Sequence, residues 1–394
     1  MAVGSLVIST ARLNRILDVD AANRTAWVEP GVVNLVLSKA VKELGLHFAP
    51  DPSSQGACTI GGNVAENSGG PHTLKYGVTT NHVLAVEVVL PDGEIVVLGG
   101  PAADAPGYDL AGVFVGSEGT FGIATKALVR LTPNPEGVKT LTAVFDSLEA
   151  AGRGVTGVLA AGVLPAAIEM IDGMTLRAVE ATIHAGFPPD AAALLIVEVD
   201  GLADDLERQA EAAAEALRAA GAREVKRAKD EAERLKLWKG RKQAFGSLGR
   251  LAPNYYTHDG VIPRTKMPEV LTEIGRIAER HRVRIGNVFH AGDGNLHPVI
   301  LYDEREPGVI DRVRAAGDEI LRLTIRVGGA LSGEHGIGLE KIPYMNQLYT
   351  EEDLSVMRRL REVFNPGGLC NPGKVLPTPG KCSEPKGQRL LEGH

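Results

Sequence analysis

Cysteine is scarce in this chain: there are three in 394 residues, Cys58, Cys370 and Cys382. An odd, widely spaced set excludes a disulfide scaffold, and the interval between Cys370 and Cys382 fits no zinc ribbon. The thiols read as unpaired and the compartment as reducing, so a cytoplasmic location is expected. No apolar run is long enough to cross a bilayer, which argues against a transmembrane segment. The start, MAVGSLVISTARLNRIL, lacks a basic region followed by an apolar core, so no signal peptide is expected. A net positive charge is also lacking. A formal charge of −7 speaks against a nucleic-acid-binding face. The basic clusters Lys226–Lys229 and Lys236–Lys242 read as solvated helix faces. Aromatics make up only 4% of residues, and no internal repeat is evident.

Glycine, by contrast, is abundant at 47 residues, which implies many tight turns or close backbone approaches. The length suits two or three domains. The first 130 or so residues read as short strands broken by glycine-rich turns: LVIST, TAWVE, VLAVEVVL, EIVVLGG and GIATKALVRL. Pro91-Asp92-Gly93 marks a hairpin between the third and fourth of these. VVNLVLSKAVKELG places apolar residues at helical spacing and ends on Gly45. The stretch from Thr132 to Gly137 reads as a domain boundary. Beyond it strands and helices alternate: KTLTAVF, SLEAAGRGVTGVLAAG, ALLIVEVDG, ADDLERQAEAAAEALRAAG, PEVLTEIGRIAERH, RIGNVFHAGD and LHPVILYD. This texture predicts helices packed on a sheet, and EEDLSVMRRLREVF adds a last helix. The polar tail from residue 378 is expected to be disordered.

The most informative short stretch is HAGDGNLHP, His290 to Pro298. With Asp293-Gly294 as a two-residue turn, His290 and His297 become directly opposed across a hairpin. Opposed Cβ atoms lie about 4.5–5.5 Å apart, close enough for both imidazoles to reach one divalent cation. The same spacing suits a hairpin whose histidines hydrogen-bond only locally. A second stretch, LSGEHGIG, places Glu334 and His335 among three glycines. Glu334 would complete a two-histidine, one-carboxylate site with open positions. His335 would point elsewhere and be free as a general base. An ordinary polar loop is the alternative. In the first half, GACTIGGNVAENSGG is neither a Walker loop nor a GxGxxG fingerprint, yet it exposes backbone N–H groups. GVFVGSEGTFGIATKA is a second such run. Turns alone produce runs of this kind. Two in one strand-rich domain suggest a large, flat, anionic ligand.

Taken in order, PDPSSQGACTIGGNVAENSGG, KYG, VGSEGTFGI, HAGDGNLHP, SGEHGIG and NPGK resemble the FAD-linked oxidases of the vanillyl-alcohol-oxidase flavoprotein superfamily. Within it, the chain is most similar to the glycolate oxidase catalytic subunits and the D-lactate and D-2-hydroxyglutarate dehydrogenases. The resemblance covers nearly the whole chain. It implies an α+β architecture. An FAD-binding domain over 1–132 would be followed by a ferredoxin-like α+β cap over 138–345, and 346–377 would return to the FAD domain. It implies that Cys58, Thr59, Gly61, Gly62, Asn63, Gly69, Gly70, Gly116, Glu118, Gly119, Gly122, Ile123 and Asn371 line FAD. It further implies that His290, His297 and Glu334 hold a divalent metal, with zinc foremost. His335 would be the catalytic base, and Arg241 would pair with the carboxylate of a small D-2-hydroxyacid. An iron–sulfur or quinone acceptor would take the electrons, in a homo-oligomer or hetero-complex peripheral to the inner membrane.

The chain departs from the family pattern in two places. The glycine-rich loop that relatives carry ahead of GSLVISTARLNRIL is missing, so the first FAD subdomain is expected to be incomplete. The favoured explanation is a sequence truncated at its start, since the downstream chemical residues look intact; a flavin-poor, non-catalytic subunit is the alternative, and a metallohydrolase using the His/His/Glu set is a third. Relatives that take dicarboxylates carry lysine where this chain has Thr257, which favours glycolate or D-lactate.

Overall fold

A computed structural model describes residues 5–102 and 106–377; the expected polar tail from residue 378 lies outside the described residues. The first half forms an antiparallel sheet of β1 (Ile16–Asp20), β2 (Thr25–Val28), β3 (Val83–Val89), β4 (Ile95–Gly99) and β5 (Ile123–Arg130). Its order is β1-β2-β5-β3-β4. Two helices, α1 (Asn34–Val41) and α2 (Ile60–Glu66), share its core. Their buried Leu37, Val41, Ile60 and Val64 join Val28, Val86 and Val129 in one cluster. As the periodicity implied, the first helix gives out at Gly45, which takes a left-handed φ of 71°. The expected strand LVIST is absent. Leu6, Val7 and Ile8 are exposed and pair with no ladder, and an extended segment without a neighbouring strand has nothing to satisfy its backbone.

The second half holds the larger sheet. Strands β6 (Gly137–Phe145), β7 (Ala167–Asp172), β8 (Ala193–Gly201) and β9 (Glu224–Arg227) alternate with α3 (Leu148–Ala160), α4 (Gly173–Ile183) and α5 (Ala203–Ala219). The order β9-β6-β8-β7, with α3 and α5 as crossovers, is a ferredoxin-like unit with α4 inserted. Helix α6 (Glu231–Lys242) then leads to β10 (Asn254–Thr257), β11 (Gly260–Val261) and α7 (Met267–His281). Strand β12 (Arg284–His290) extends the sheet from β7, and β13 (Asn295–Leu296) and β14 (Pro298–Tyr302) fold back on it. Helix α7 shows why the segment folds where it does: Val270, Leu271, Ile274 and Ile277 form one buried stripe, each worth about 1.5–3 kcal/mol of apolar burial.

After α8 (Val309–Arg326) the chain crosses back through α9 (Glu351–Phe364). Leu354 at its start packs with Leu321, Leu331 and Met345. Phe364 at its end stacks on Phe121 at 4.7 Å, within the core of the first sheet. Among the described residues no helix is long and apolar enough to cross a membrane.

Candidate functional site

The histidine hairpin carries a different register from the one the Asp-Gly turn implied. His290 pairs with Asn295, not His297, and residues 291–294 form a four-residue loop. The shift is two residues, so the faces are preserved because side chains alternate with period two. Asn287 pairs with Pro298, which puts His297 opposite Val288, on the face that His290 occupies. The two rings sit 5.2 Å apart, edge to face. Both are 2% exposed, so their ring nitrogens must find partners inside the protein.

His290 has one fixed side. Its Nδ1 faces the Glu169 carboxylate at 2.9 Å and 3.0 Å, leaving Nε2 directed to Glu334 Oε1 at 3.8 Å. Burial alone would lower the pKa of His290, but Glu169 and Glu334 outweigh it and hold the ring well above its ordinary value. Burial likewise opposes charge on Glu334, yet the hydrogen bond and charge of His290 bring its pKa down to about 2. His297 Nε2 lies 3.3 Å from Glu334 Oε1. Neither ring nitrogen of His297 has a hydrogen-bond partner, nor does Glu334 Oε2. His290, His297 and Glu334 each offer a ligand atom within 4.8 Å of the others. Buried lone pairs left without donors, drawn from imidazole and carboxylate, fit a divalent cation.

A second set, Asp259, His297 and His335, meets the same distance criterion. Its carboxylate is already engaged. Asp259 accepts from the Ser332 hydroxyl, from the N–H groups of Gly333, Glu334 and His335, and from Lys341 Nζ at 3.3 Å. Asp259 therefore shapes the loop that presents Glu334 and His335. His335 does not point elsewhere, as the sequence suggested. Its ring stacks on His297 at 5.2 Å and 6°, with Nε2 3.7 Å from Glu334 Oε1. Burial lowers its pKa, so the ring is neutral near pH 7 and able to accept a proton.

A cavity of about 190 Å³ opens between His297, Glu334, His335 and Phe245 on one side and Pro52, Ser53, Ser54 and Ser68 on the other. A larger one, about 460 Å³, runs past His335 along Gly336–Lys341, with Tyr256, Thr257 and Tyr302. Arg241, on α6, is 1% exposed and lies behind His290, its Nη2 2.5 Å from Glu169 Oε2. None of its guanidinium nitrogens makes a well-formed hydrogen bond, so its donors remain available to an incoming acceptor.

The residues expected to line FAD also converge. The Gly116 N–H donates to Val64 O and the Glu118 N–H to Ala65 O, which ties that loop to α2. Asn371 donates from Nδ2 to Glu118 O at 2.6 Å, and Asn365 donates to Thr120 O at 2.9 Å. Thr59 caps α2 by accepting from the Gly62 N–H, and Asn63, beside Cys58 Sγ at 3.6 Å, is buried. Ile123 starts β5. The glycines divide into two kinds. A Cβ at Gly61 or Gly70 would meet the protein's own atoms at 2.6 Å and 2.5 Å, as would one at Gly69 or Gly122 at 2.7 Å. Those positions are glycine because of local packing. At Gly62 and Gly119 a Cβ would meet nothing closer than 3.6 Å and 4.0 Å, and at Gly116 nothing closer than 3.3 Å. Gly116 and Gly119 take φ values of 81° and 68°, which alone favour glycine, and Gly62 is left as the open position without that constraint. The Glu118 carboxylate is occupied, accepting from the N–H groups of Ile337 at 2.5 Å and Gly338 at 2.7 Å.

Sequence reasoning missed Glu169 and Asp259. The signal for Glu169 was a lone acid within the apolar strand AIEMID, since a buried charge requires a partner.

Solved structures share this fold. A substrate-bound p-cresol methylhydroxylase superposes with a TM-score of 0.75 at 16% identity, over 92% of this chain and 78% of that one. An alkyldihydroxyacetonephosphate synthase gives 0.69 at 19%, over 93% and 67%. At sequence level, residues 134–375 match the FAD linked oxidase C-terminal domain and residues 1–99 the FAD binding domain. The chain belongs to the FAD-linked oxidase family. It is 47% identical to glycolate oxidase subunit GlcD of Escherichia coli K12 over 99% of this chain and 78% of that protein. The Bacillus subtilis glycolate oxidase subunit GlcD is 41% identical over 95% and 80%. A D-lactate dehydrogenase of Anaerostipes hadrus is 32% identical over 94% and 80%.

Proposed function

We propose that the protein oxidises a small D-2-hydroxyacid, glycolate or D-lactate, to the 2-oxoacid with FAD as oxidant. The observation that carries the site assignment is the convergence of His290, His297 and the unpartnered Glu334 oxygen beside the neutral His335. FAD supplies the two-electron sink for the hydrogen leaving the substrate's Cα, and a divalent cation, zinc foremost, supplies the charge that eases ionisation of the hydroxyl. His290, His297 and Glu334 would hold that cation. His335 takes the hydroxyl proton. Arg241 pairs with the substrate carboxylate and fixes which hydrogen faces the flavin. Glu169 lies between Arg241 and His290 and keeps both oriented. Thr257, on which the preference for a monocarboxylate rests, lines the larger cavity.

The relatives named above as subunits support a hetero-complex in which electrons pass to an iron–sulfur or quinone acceptor at the inner membrane. The test is optical. Purified, FAD-loaded protein should bleach under anaerobic glycolate or D-lactate. Protein that stays oxidised with both, or that purifies without flavin, would overturn the reading in favour of a non-catalytic subunit.

A further inference from the structure

We infer that His72 is a positioning residue for this oxidation: it clamps the Asp51–Ser54 loop, one wall of the catalytic cavity, to the buried Glu198 of the cap and through it to the helix that carries Arg241. The inference rests on the activity proposed above but on different atoms. His72 donates from Nδ1 to Asp51 Oδ2 at 2.8 Å, and its backbone N–H donates to Asp51 Oδ1 at 3.3 Å. Its other ring nitrogen, Nε2, reaches Glu198 Oε1 at 3.3 Å. Pro52, Ser53 and Ser54, which follow Asp51 directly, face His297, Glu334 and His335 across the cavity of about 190 Å³.

Glu198 is the hub. It lies in the middle of β8, 1% exposed, and accepts from four further donors. Thr140 Oγ1 donates at 2.6 Å, Trp238 Nε1 at 2.7 Å, and Arg234 through Nε and Nη2, each at 2.8 Å. Arg234 and Trp238 belong to α6, and Arg241 follows one turn later on the same helix. The His72 ring also packs on the Trp238 indole, with centroids 5.5 Å apart. One chain of contacts therefore runs from the cavity wall, through an imidazole and a carboxylate, to the helix of the substrate-binding arginine. The two ends come from sequence positions far apart, so nothing local fixes their separation.

The side chain suits this role. Linking two carboxylates at opposite ends of one rigid group needs a cation with two diverging N–H donors, which only protonated imidazole supplies at this length. Burial disfavours charge on His72, but Asp51 and Glu198 outweigh it and push the pKa up to about 10. A buried, fully satisfied polar network of this kind sets geometry more than it adds stability.

The experiment compares FAD-loaded wild type, His72→Gln and His72→Ala with D-lactate and glycolate. Misplacing one wall of a reacting site by about 1 Å costs roughly 10²-fold. We expect kcat to fall about 10–100-fold in both variants, with KM within about threefold and flavin content unchanged. Amide exchange of residues 51–55 should quicken about tenfold or more, while β8 stays protected. Added imidazole should recover part of the lost kcat in His72→Ala. Full kcat in either variant, whether or not exchange quickens, would overturn the assignment. So would a loss confined to flavin content that saturating FAD restores. If His72→Ala does not fold, the isosteric His72→Gln decides alone. An inactive wild type with a protected 51–55 loop would count against the proposed activity, while quickened exchange in the variants would still support the clamp.

Discussion

Glu169 has no solvent exposure, and it sits between His290 Nδ1 and Arg241 Nη2. Such a carboxylate fixes the tautomer and aim of a metal-binding imidazole, and losing it costs about 10–100-fold in metal affinity. Glu169→Gln should lose bound cation on dialysis at concentrations where wild type keeps it, as elemental analysis would read. The pKa of His290 is held well above its ordinary value in the cation-free protein. A cation must therefore displace a proton from that ring, so affinity should fall about tenfold per unit as pH drops through neutrality, with proton release measurable by calorimetry. His335→Ala should lower turnover by about 10²–10⁴-fold with flavin content unchanged. The convergence of His290, His297 and Glu334 could be read from HAGDGNLHP and SGEHGIG. Glu169 and Asp259 could not, because their partners lie far away in sequence and no local spacing records them.

The hairpin of β12 and β13 shows where pattern reading stops. The Asp-Gly signal favoured a two-residue turn, yet the chain uses four. The reason is tertiary. The Gly292 N–H donates to Ile168 O, the Ile262 N–H donates to Gly294 O, and Arg264 donates to Gly292 O at 3.2 Å. Three bonds to other segments decide the loop, and the intrinsic turn preference yields. The face on which the histidines sit was still legible, because a shift of two residues leaves it unchanged. Gly294 sits at φ 83°, and a Cβ there would fall 2.2 Å from Ile262 O. Gly294→Ala should therefore destabilise the protein by about 1–3 kcal/mol in denaturant titrations and weaken cation retention with it. Helices α3, α5, α7 and α9 followed from periodicity, since each buries one face, whereas α4, α6, α8 and the fully buried strand β7 went unread. LVIST failed because β-branched residues need a partner strand, which composition does not reveal.

Across the whole molecule, the halves meet through polar and acidic side chains. Beside His72 and Glu198, Tyr76 donates to Asp200 at 2.6 Å and Lys75 pairs with the same carboxylate. Two titrations set the pH range of this joint. His72 is raised from 6.5 to about 10, so its stabilisation is complete below about 6.5 and is lost as pH climbs through about 10. Glu198 is buried, which disfavours its charge, yet His72 and Arg234 depress its pKa below the ordinary 4.5, so its contribution holds above that value and fades as pH falls. Thermal stability should peak between about pH 4.5 and 6.5, and His72→Gln should flatten the alkaline limb in scanning calorimetry. None of this joint could be read from the sequence, because His72 and Glu198 are 126 residues apart.

The route of the chain has a mechanical consequence. It passes from the first sheet to the second near Thr132–Gly137 and returns through α9, whose two ends are packed into different cores. A body joined to another at two separate points can swing about the line through them and resists sliding or twisting off that line. Further ties oppose even that swing here: Glu118 holds the Ile337 and Gly338 N–H groups beside His335, and Asp200 holds Lys75 and Tyr76, so the second half is braced against the first at several places at once.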